Sequence, residues 1–325
     1  MSKVSINLVT WNGAKYIDNC LRSVFAQTFK DYSILIIDNG SSDETLAIIK
    51  EQYPQLKVIE HKKNIGFAKA HNQAIHWSKS DYVLLLNQDV VLASGYLNDL
   101  VNFLDNNSMA GSVAGKILRL QDEEKTNYID SVGLRIYKNY RVVDMGAGEV
   151  DEGQYDAITE IFGVSGALPV YRRKALEEIM YQQEYLDESF FSYKEDVDLA
   201  HRLITAGWQS WRVPTAVAYH DRTVSSPYEK MTAVKVAQNR QKKSKFAKFY
   251  SYRNHLYFLK KNLSRLTLAV FFYELVKAVY VLLFEPRNLR AWKDYFHVRK
   301  ELKAKRDLIQ KRRKISEEKL SSWLS

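Results

Sequence analysis

The 325-residue sequence predicts an α/β protein whose mostly parallel β-sheet is flanked by helices and followed by a basic helical appendage. The first hundred residues alternate short β-rich runs with helical periodicity, which is typical of a parallel sheet covered on both faces. Charge is distributed unevenly, since residues 1–230 hold 24 Lys and Arg against 31 Asp and Glu, and residues 231–325 hold 24 against 7. We therefore predict two domains, 1–230 and 231–325.

The predicted parallel strands end in polar clusters. The β-rich runs are residues 4–10, 33–39, 56–61 and 82–87. Ligands of such sheets bind beyond the carboxyl ends of the strands, which meet at one edge. The clusters at these ends are Thr10-Trp11-Asn12, Asp38-Asn39-Gly40 and Asn87-Gln88-Asp89. We therefore expect a ligand site at that edge.

The rest of the chain is less regular. Residues 120–160 are rich in Gly, Asp and Tyr and are predicted to form an inserted hairpin or a lid. Helices are expected to begin near Arg172 and near Lys194. From about residue 235 the pattern is mostly helical, and Pro286 is its clearest break.

Cysteine usage, the N-terminal sequence and the basic tail limit the class of protein. Cys20 is the single cysteine, which excludes an intramolecular disulfide and a Cys-rich zinc site, and its apolar surroundings predict a core position. The sequence begins with a strand pattern and without a signal-peptide run, so we expect a cytosolic protein. The basic tail favours phosphates or anionic lipid heads as partners, although a solvated helical surface would carry the same charges.

Two carboxylates at strand ends are candidate ligand groups. Asp89 could hold a hard divalent cation that keeps several waters and bridges a diphosphate, or it could cap a turn. Asp38 could accept a hydrogen bond from a base imide or a ribose. The turn that follows it has its own helix-capping residues, Ser41, Ser42 and Asp43, so Asp38 is not needed for capping.

The segment NIGFAKAHN, which begins at Asn64, is a further candidate. It holds a single Gly and lacks the G-x-G-x-x-G and P-loop patterns, so it is not a glycine-rich phosphate loop. Asn64, Gly66 and Asn72 could line a nucleotide cleft. Helix capping explains the same spacing equally well.

Three later residues could also take part in chemistry. Glu195 and Asp196 begin a helix, where the helix dipole favours acidic side chains and lowers the pKa of a carboxylate. A carboxylate that is ionised near neutrality could act as a general base. His220 follows another β-rich run and could bind a metal or a phosphate, or it could be structural.

Taken together, these motifs resemble the inverting glycosyltransferases of family 2, which have the GT-A fold. The resemblance covers about residues 3–225 and rests on ordered motifs: TWNG, DNGSSDET, NIGFAKAHN, LLNQDV, SGA and EDVDLAHRL. Within the family the sequence looks most like the rhamnosyltransferase-like group, whose triplet commonly begins with Asn.

The resemblance implies roles for the candidate residues. Asp196 would be the catalytic base, with Glu195 beside it as a second candidate. Asp89 would bind a divalent metal, Mg²⁺ or Mn²⁺, and His220 would lie near the diphosphate as a possible further metal ligand. Asn87 replaces the first Asp of the family's usual triplet, and a neutral amide is a weaker metal ligand. The nucleotide sugar would contact Thr10, Asn12, Asp38, Asn39, Asn64, Gly66, Asn72, Asn87 and Gly166.

The function implied by the resemblance is transfer of a sugar, with rhamnose as one candidate, from a dTDP- or UDP-sugar. The acceptor would be a hydroxyl of a glycan or polyprenyl-linked acceptor in cell-surface polysaccharide synthesis, and the protein could be a homo-oligomer. One alternative is a sugar nucleotidyltransferase, although TWNGAKYIDN lacks the Gly-rich, basic phosphate loop of that class. The others are a non-catalytic membrane protein and a nucleic-acid binder, and the acidic residues 1–230 argue against nucleic acid.

The tail is predicted to hold the protein on the inner face of the plasma membrane as a peripheral protein. Residues 266–284 are long enough to span a bilayer, yet Glu274 and Lys277 lie near the centre of this segment. Charges there cost about 2.5–3.5 kcal/mol each on insertion scales, whereas each Lys or Arg beside an anionic surface contributes about 1 kcal/mol. We therefore expect an in-plane helix, and a soluble appendage packed on the catalytic domain or on a second subunit is the alternative.

Overall fold

Strands and helices alternate along the first hundred residues, and the computed structural model describes residues 2–121, 123–221, 240 and 243–325. The strands are β1 (Val4–Thr10), β2 (Tyr32–Asp38), β3 (Lys57–Glu60), β4 (Tyr82–Asn87), β5 (Val90–Leu92), β6 (Ala110–Gln121), β7 (Glu124–Ser131), β8 (Leu134–Ile136), β9 (Val142–Asp144), β10 (Thr159–Ile161), β11 (Val170–Arg172) and β12 (Gln209–His220). The helices are α1 (Ile17–Phe25), α2 (Thr45–Gln52), α3 (Phe67–Trp77), α4 (Tyr96–Asn106), α5 (Arg173–Ile179), α6 (Glu195–Thr205), α7 (Lys245–Asn262), α8 (Leu268–Phe284), α9 (Arg290–Lys311) and α10 (Glu317–Ser321). Short 3-10 turns cover Glu188–Phe190 and Pro286–Leu289.

Ten of the described strands form one mixed sheet in the order β10-β12-β6-β11-β4-β1-β2-β3, with β5 paired to β12 and β7 to β6. The strands β1 to β4 run parallel to one another, as β12 does to β6. Strand β11 lies antiparallel between β4 and β6. The parallel strands predicted from the sequence are confirmed, with bounds that differ by at most about one residue at each end.

Apolar side chains project from both faces of the sheet, because successive residues of a strand point in opposite directions. In β2, Ile34 and Ile36 pack in a cluster with residues of α1 and α4, whereas Leu35 and Ile37 pack with residues of α3. A further cluster joins β4 to α5 and α6. Cys20 of α1 lies in the first cluster with 1% of its surface exposed, as the sequence predicted.

The predicted insertion at residues 120–160 contains antiparallel strands joined by turns and irregular segments. Strand β7 folds back on β6, and β8 pairs with β9 in a separate two-stranded ribbon. Asp130 of β7 thereby lies against His220 at the end of β12. The insertion therefore contributes a side chain to the edge where the predicted site lies.

The described part of the tail packs on the main domain. Helices α7 and α9 contact α6, and a cluster joins Phe190 and Val197 to Tyr257 and Leu302. The predicted break at Pro286 separates α8 from α9. The predicted domain boundary between residues 230 and 231 lies outside the described residues.

Helix α8 turns its charged side toward the protein. Lys277 Nζ lies 3.6 Å from Glu274 Oε1, which is the ion pair that their spacing allows. Glu274 Oε1 also lies 2.7 Å from Nε2 of His255 in α7. In the parts of the chain that the structure describes, no helix combines the length and the apolar content that crossing a bilayer requires.

Candidate active site

The carboxyl ends of β1, β2 and β4 lie side by side. In the parallel registers Thr10 pairs with Asp38, and Val9 pairs with Asn87. The polar clusters that follow these strands therefore meet at one edge of the sheet, as their order in the sequence predicted.

Gln88 ties this edge together. Its Oε1 accepts hydrogen bonds from Thr10 Oγ1 at 2.5 Å and from Trp11 N at 2.9 Å. A Cβ added to Gly13 would clash with the same amide, so this close approach explains the glycine of TWNG. Thr10 is 1% exposed and uses its hydroxyl for the bond to Gln88. Thr10 therefore stabilises the edge through Gln88, and its contact with a nucleotide sugar stays a prediction.

Asp38 keeps one carboxylate oxygen available for a ligand. The side chain is fully buried, and Oδ2 accepts hydrogen bonds from the backbone N–H of Gly40 at 3.2 Å and of Ser41 at 3.0 Å. The other oxygen, Oδ1, is buried without a hydrogen-bond partner among the described residues. An unsatisfied buried acceptor costs about 1–3 kcal/mol, so this oxygen favours a ligand that donates a hydrogen bond.

Asn39 and Asn64 join two loops beside Asp38. Asn39 Nδ2 donates to Asn64 Oδ1 at 3.0 Å, and Ile65 N donates to Asn39 Oδ1 at 2.9 Å. Gly66 has a φ of 92°, and a Cβ there would lie 2.7 Å from Phe191 O. Glycine is therefore required both by the backbone conformation and by the close contact. These three predicted nucleotide contacts shape the loops of the cleft.

Asn12 and Asn72 are also engaged within the fold. Asn12 is exposed at the edge of the cleft, and its Oδ1 accepts a hydrogen bond from Ser42 N at 2.8 Å. Asn72 is buried, and its amide donates to Leu186 O at 2.8 Å and accepts from Leu186 N at 2.9 Å. We therefore treat Asn72 as a structural residue that fixes the segment before α6, and we leave it out of the proposed site.

Asp89 belongs to a chain of three side chains that includes Asp130, a residue the sequence did not suggest. Asp89 Oδ1 lies 3.3 Å from His220 Nε2, and His220 Nδ1 lies 2.9 Å from Asp130 Oδ2. The antiparallel pairing of Val90 with His220 sets this contact. Burial alone lowers the pKa of His220, yet Asp89 and Asp130 outweigh it and raise the pKa to about 10. The imidazolium is therefore a counter-ion of both carboxylates.

The same side chains suit a divalent cation that binds together with a diphosphate. Within residues 2–121, 123–221 and 243–325, no group of three or more His, Cys, Asp or Glu side chains could hold a metal unaided. Apart from its ion pair with His220, Asp89 Oδ1 has no hydrogen-bond partner in the described chain. The Asp89 carboxylate and the nearby Asn87 fit a cation that completes its coordination with phosphate and water, and His220 fits as a further ligand once it loses its Nε2 proton, with Asp130 orienting the ring.

Asp196 is connected to the strand-end edge through Gly166 and Ala167. Its Oδ2 accepts a hydrogen bond from Gly166 N at 3.0 Å, and its Oδ1 accepts from Val197 N at 2.8 Å. The residue after Gly166 is Ala167, whose carbonyl accepts a hydrogen bond from Asn87 N at 3.2 Å. The SGA motif thus connects the end of β4 to the start of α6, and it brings Asp196 toward the group around Asp89.

The carboxyl groups of Glu195 and Asp196 differ in their surroundings. Burial raises the pKa of Asp196 and the charge of Asp144 adds to it, whereas the Gly166 N–H opposes the rise. Burial and the charge of Asp196 raise the pKa of Glu195 to about 8, and Glu195 Oε2 has no hydrogen-bond partner among the residues described. The predicted lowering of these pKa values by the helix dipole is wrong, because burial outweighs the dipole. Because two backbone N–H groups donate to Asp196, it holds a negative charge more readily than Glu195 does.

Comparisons with known proteins match most of the sheet region. The family model described as Glycosyl transferase family 2 matches residues 5–180. The chain is 26% identical over 238 residues to the N-acetylglucosaminyl-diphospho-decaprenol L-rhamnosyltransferase of Mycobacterium tuberculosis, which covers 67% of this chain and 76% of that protein. It is 38% identical over 114 residues to the poly(ribitol-phosphate) beta-N-acetylglucosaminyltransferase TarP of Staphylococcus aureus, covering 33% of this chain and 35% of TarP.

Solved structures share the fold. The crystal structure of GalNAc-T7 with UDP, GalNAc and Mn2+ matches with a TM-score of 0.64 at 15% identity, over 95% of this chain and 55% of that one. The structure of S. aureus TarS 1-349 matches with a TM-score of 0.52 at 16% identity, over 95% of this chain and 88% of that one. The predicted GT-A fold is confirmed. These comparisons give no support to a nucleotidyltransferase, a nucleic-acid binder or a non-catalytic membrane protein.

Proposed function

The chain belongs to glycosyl transferase family 2, and we propose that it transfers a sugar from a nucleotide-sugar donor to a hydroxyl of a glycan or lipid-linked acceptor, with inversion at the anomeric carbon. A relative named an L-rhamnosyltransferase of a diphospho-decaprenol-linked sugar makes rhamnose a candidate for the donor sugar and a polyprenyl-linked glycan a candidate acceptor. The donor nucleotide would be dTDP or UDP. Synthesis of a cell-surface polysaccharide is the process that such a reaction serves.

The observation that carries this proposal is that three Asp carboxylates with different surroundings are brought together at one edge of the sheet. Asp38 offers a buried oxygen that has no hydrogen-bond partner in the described part of the chain, Asp89 is paired with His220, and Asp196 is bonded to Gly166 beside the end of β4. A nucleotide sugar needs contacts of these kinds for its base or ribose, for its diphosphate and for the hydroxyl that attacks it.

In the proposed mechanism Asp196 removes the proton of the acceptor hydroxyl as that oxygen attacks the anomeric carbon. The new C–O bond forms on the face opposite the nucleoside diphosphate, so the bond to the leaving group breaks with inversion. Asp196 is suited to this step because its carboxylate is oriented by the backbone N–H groups of Gly166 and Val197. A positioned base of this kind contributes about 10²–10⁴-fold to the rate.

A divalent cation, Mg²⁺ or Mn²⁺, would be held by Asp89, with Asn87 as a weaker group, and His220 would join them only as a neutral imidazole, after the cation displaces the Nε2 proton that faces Asp89. When bound, such a cation neutralises the charge that develops on the departing diphosphate. Asp130 orients the His220 imidazole through its contact with Nδ1. Asp38 binds the base or ribose through Oδ1, and this contact fixes the donor before the transfer step.

The apolar side of α8 supports the further proposal that the protein binds the anionic inner surface of the plasma membrane. Nine side chains of this helix expose between 47% and 75% of their surface. They are Leu268, Phe271, Phe272, Leu275, Val276, Val279, Leu282, Leu283 and Phe284. A fully buried apolar side chain contributes about 1.5–3 kcal/mol, and each basic group beside anionic lipid adds about 1 kcal/mol.

Charge complementarity selects the lipid surface over a second copy of the chain. Basic residues flank the apolar side of α8 in sequence, with Arg265 before it and Arg287 and Arg290 after it. Two copies that met through this face would bring these like charges together, whereas anionic lipid heads would neutralise them. In this arrangement a lipid-linked acceptor lies in the same surface to which the enzyme is bound.

A panel of nucleotide sugars tests the proposed reaction. Purified full-length protein is incubated with dTDP- and UDP-sugars, dTDP-rhamnose included, and with Mg²⁺ or Mn²⁺, and released nucleoside diphosphate is measured. We expect release from one donor or a few, loss of release with a chelator, and an inverted configuration in the first product seen by NMR. A folded protein that releases nothing from any donor, with or without a polyprenyl-linked acceptor, would contradict the proposal.

A further inference from the structure

The backbone just before α6 is held in a conformation that its residues disfavour. We call residues 187–194 the pre-helix loop. Within it Phe191, Tyr193 and Lys194 have φ angles of 64°, 72° and 69°. Residues with a Cβ rarely adopt this left-handed region, and they remain there only where neighbouring contacts hold them. Lys194 directly precedes α6, so the loop determines where the first residues of the helix, Asp196 among them, lie.

Asn254 of the tail helix α7 makes contacts that hold the pre-helix loop in this conformation. Its side chain is fully buried. Its Nδ2 lies 2.8, 2.8 and 2.7 Å from the backbone carbonyl oxygens of Phe190, Ser192 and Tyr193, which share its two N–H groups. A buried carbonyl that loses its donor is costly, so these oxygens keep their arrangement only while the amide is present.

The same helix fixes both ends of the loop. At the start, Arg253 Nη2 donates to Ser189 O at 2.7 Å. Lys261 is 1% exposed, and its Nζ lies 2.5 Å from Asp187 Oδ2 and 2.8 Å from Asp198 Oδ2. Asp187 begins the loop and Asp198 lies in the first turn of α6. Helix α7 therefore holds the loop before, within and after its left-handed residues.

On its other side the loop contacts the half of the cleft that contains Asp38. Ala68 N of α3 donates a hydrogen bond to Phe191 O at 3.2 Å. Gly66, at the start of α3, lies so close to Phe191 that it has no room for a Cβ. The loop is thus enclosed between α3 and α7, and movement of either helix would change its shape.

We propose that Asn254 is a positioning residue of the transfer reaction, which holds the pre-helix loop so that Asp196 points at the acceptor hydroxyl. This inference rests on the proposed function and makes a residue of the C-terminal tail part of the active site. Asn254 does not touch the substrate. Its removal should therefore reduce turnover and leave the affinity for the donor nucleotide unchanged.

The test compares Asn254→Ala with a milder variant and a control on the same helix. Arg253→Gln removes the bonds to Ser189 O, Phe190 O and Asn254 Oδ1, and it is milder because the Asn254 amide that contacts the loop stays in place. Tyr252→Phe is the control, since it deletes the hydrogen bond that Trp292 Nε1 donates to the Tyr252 hydroxyl at 3.0 Å, between α7 and α9. Each protein is assayed for hydrolysis of the donor that the wild type turns over, for UDP and dTDP binding with Mn²⁺ by calorimetry, and for thermal unfolding.

We expect kcat to fall at least about 10-fold in Asn254→Ala and about 3-fold in Arg253→Gln, with nucleotide Kd within about twofold of wild type. Tyr252→Phe should keep both quantities, even if its melting temperature falls. The inference is overturned if folded Asn254→Ala turns over at the wild-type rate, or if kcat and Kd worsen together. If Asn254→Ala does not fold, an unchanged kcat in Arg253→Gln overturns it.

Hydrogen exchange separates this inference from the proposed function. A wild-type protein that is inactive on every donor would defeat the proposed function alone. Exchange would then decide the structural inference: in Arg253→Gln and Asn254→Ala, amides of residues 191–198 should exchange at least about 10-fold faster, and those of β1 and β4 should not. Equal protection of residues 191–198 in both variants and the wild type overturns it.

Discussion

The two halves of the cleft hold their carboxylates by different means. On the sheet half, Asp38 ends one buried parallel strand and Asp89 follows another, and a short turn after β2 donates two backbone N–H groups to Asp38. On the helical half, Asp196 follows a strained loop that is fixed by a tail helix about sixty residues further along the chain. The positions of Asp38 and Asp89 are therefore set by local sequence, although the partners of Asp89 are not, whereas the position of Asp196 depends on the packing of distant elements.

This difference also appears in the charges. The sheet half presents Asp38 Oδ1, which no described residue contacts by a hydrogen bond, and an ion pair between Asp89 and His220, and both suit binding of a charged donor. The helical half buries its charges in pairs, and Asp187 and Asp198 are each bonded to Lys261. Substitutions on the sheet half should thus affect donor binding, and those on the helical half should affect turnover.

The largest expected effect is that of Asp196→Asn, which keeps the shape of the side chain and removes the base. Turnover should fall by about 10²–10⁴-fold, while the Kd for UDP or dTDP with Mn²⁺ stays within about twofold. In the wild type, turnover should decline as the pH falls through the raised pKa of Asp196, because a protonated carboxyl cannot accept the acceptor's proton. Steady-state kinetics across pH and calorimetry at one pH measure these quantities. Near-wild-type turnover of the variant would remove Asp196 from the mechanism.

On the sheet half, Asp89→Ala should weaken metal-dependent nucleotide binding by about 100-fold, since it removes a carboxylate that fits the cation. Asp130→Asn is the matched variant, because it alters only the group that orients His220. It should weaken metal-dependent nucleotide binding by about 10-fold. Titration of UDP and dTDP with and without Mn²⁺ by calorimetry gives both values. Equal affinities in Asp89→Ala and the wild type would mean that Asp89 is a turn residue, and an equal loss in both variants would indicate disturbed folding.

The apolar side of α8 tests whether the helical half is also the membrane-binding half. Phe272 and Leu275 are about half exposed, so replacing both with Ser should remove about 2 kcal/mol of interfacial burial. Binding to vesicles of anionic lipid should then weaken about 30-fold in flotation, and high salt should weaken wild-type binding as well. Ile158→Ser is the control, because this exposed residue lies directly before β10, far from the tail in sequence. Wild-type protein that fails to float, or that forms a dimer which the double variant loses, would contradict the membrane proposal.

Deleting the tail is a poor substitute for that experiment. A chain that ended near residue 232 would lose Lys261 and Asn254, which are buried against the pre-helix loop. Such a deletion would remove the contacts of Asp187 and Asp198 and would expose the apolar cluster around Phe190. Loss of binding or of activity could then result from unfolding, so point substitutions on the outer side of α8 are the sharper test.

Sequence reasoning was accurate where the physical cause was local. The hydrophobic runs predicted β1 and β4 with their observed bounds, because a buried parallel strand needs a continuous apolar stretch. The convergence of Asp38 and Asp89 on one edge followed from the direction of parallel strands. The partner of His220 could not be read in this way, since Asp130 lies 90 residues earlier on an antiparallel strand.

Predictions from the sequence were weakest where burial decides the outcome. The position of Glu195 at a helix start indicated a lowered pKa, yet packing of α6 against the sheet and the tail desolvates the carboxyl and raises its pKa. The role of Asn254 had no sequence signal, because its carbonyl partners are brought to it by tertiary packing.

The smallest expected effect on activity is that of Glu195→Gln. Because its pKa of about 8 keeps Glu195 protonated near neutrality, a neutral amide should mimic it, and turnover at pH 7 should stay within about threefold of wild type.

The same substitution should also change how the stability of the protein depends on pH. The folded-state pKa lies above the ordinary value of 4.5, so between about pH 4.5 and pH 8 the unfolded wild type is ionised while the folded protein keeps its proton. Wild-type stability contributed by this group is therefore full below about pH 4.5 and is lost as the pH rises to about 8. The variant lacks this loss, so its melting temperature relative to wild type should rise across that interval, by about 2 °C or more, and then level off. Thermal unfolding of both proteins at a series of pH values measures this difference. In the activity assay, a drop in turnover of Glu195→Gln as large as that of Asp196→Asn would transfer the role of base to Glu195.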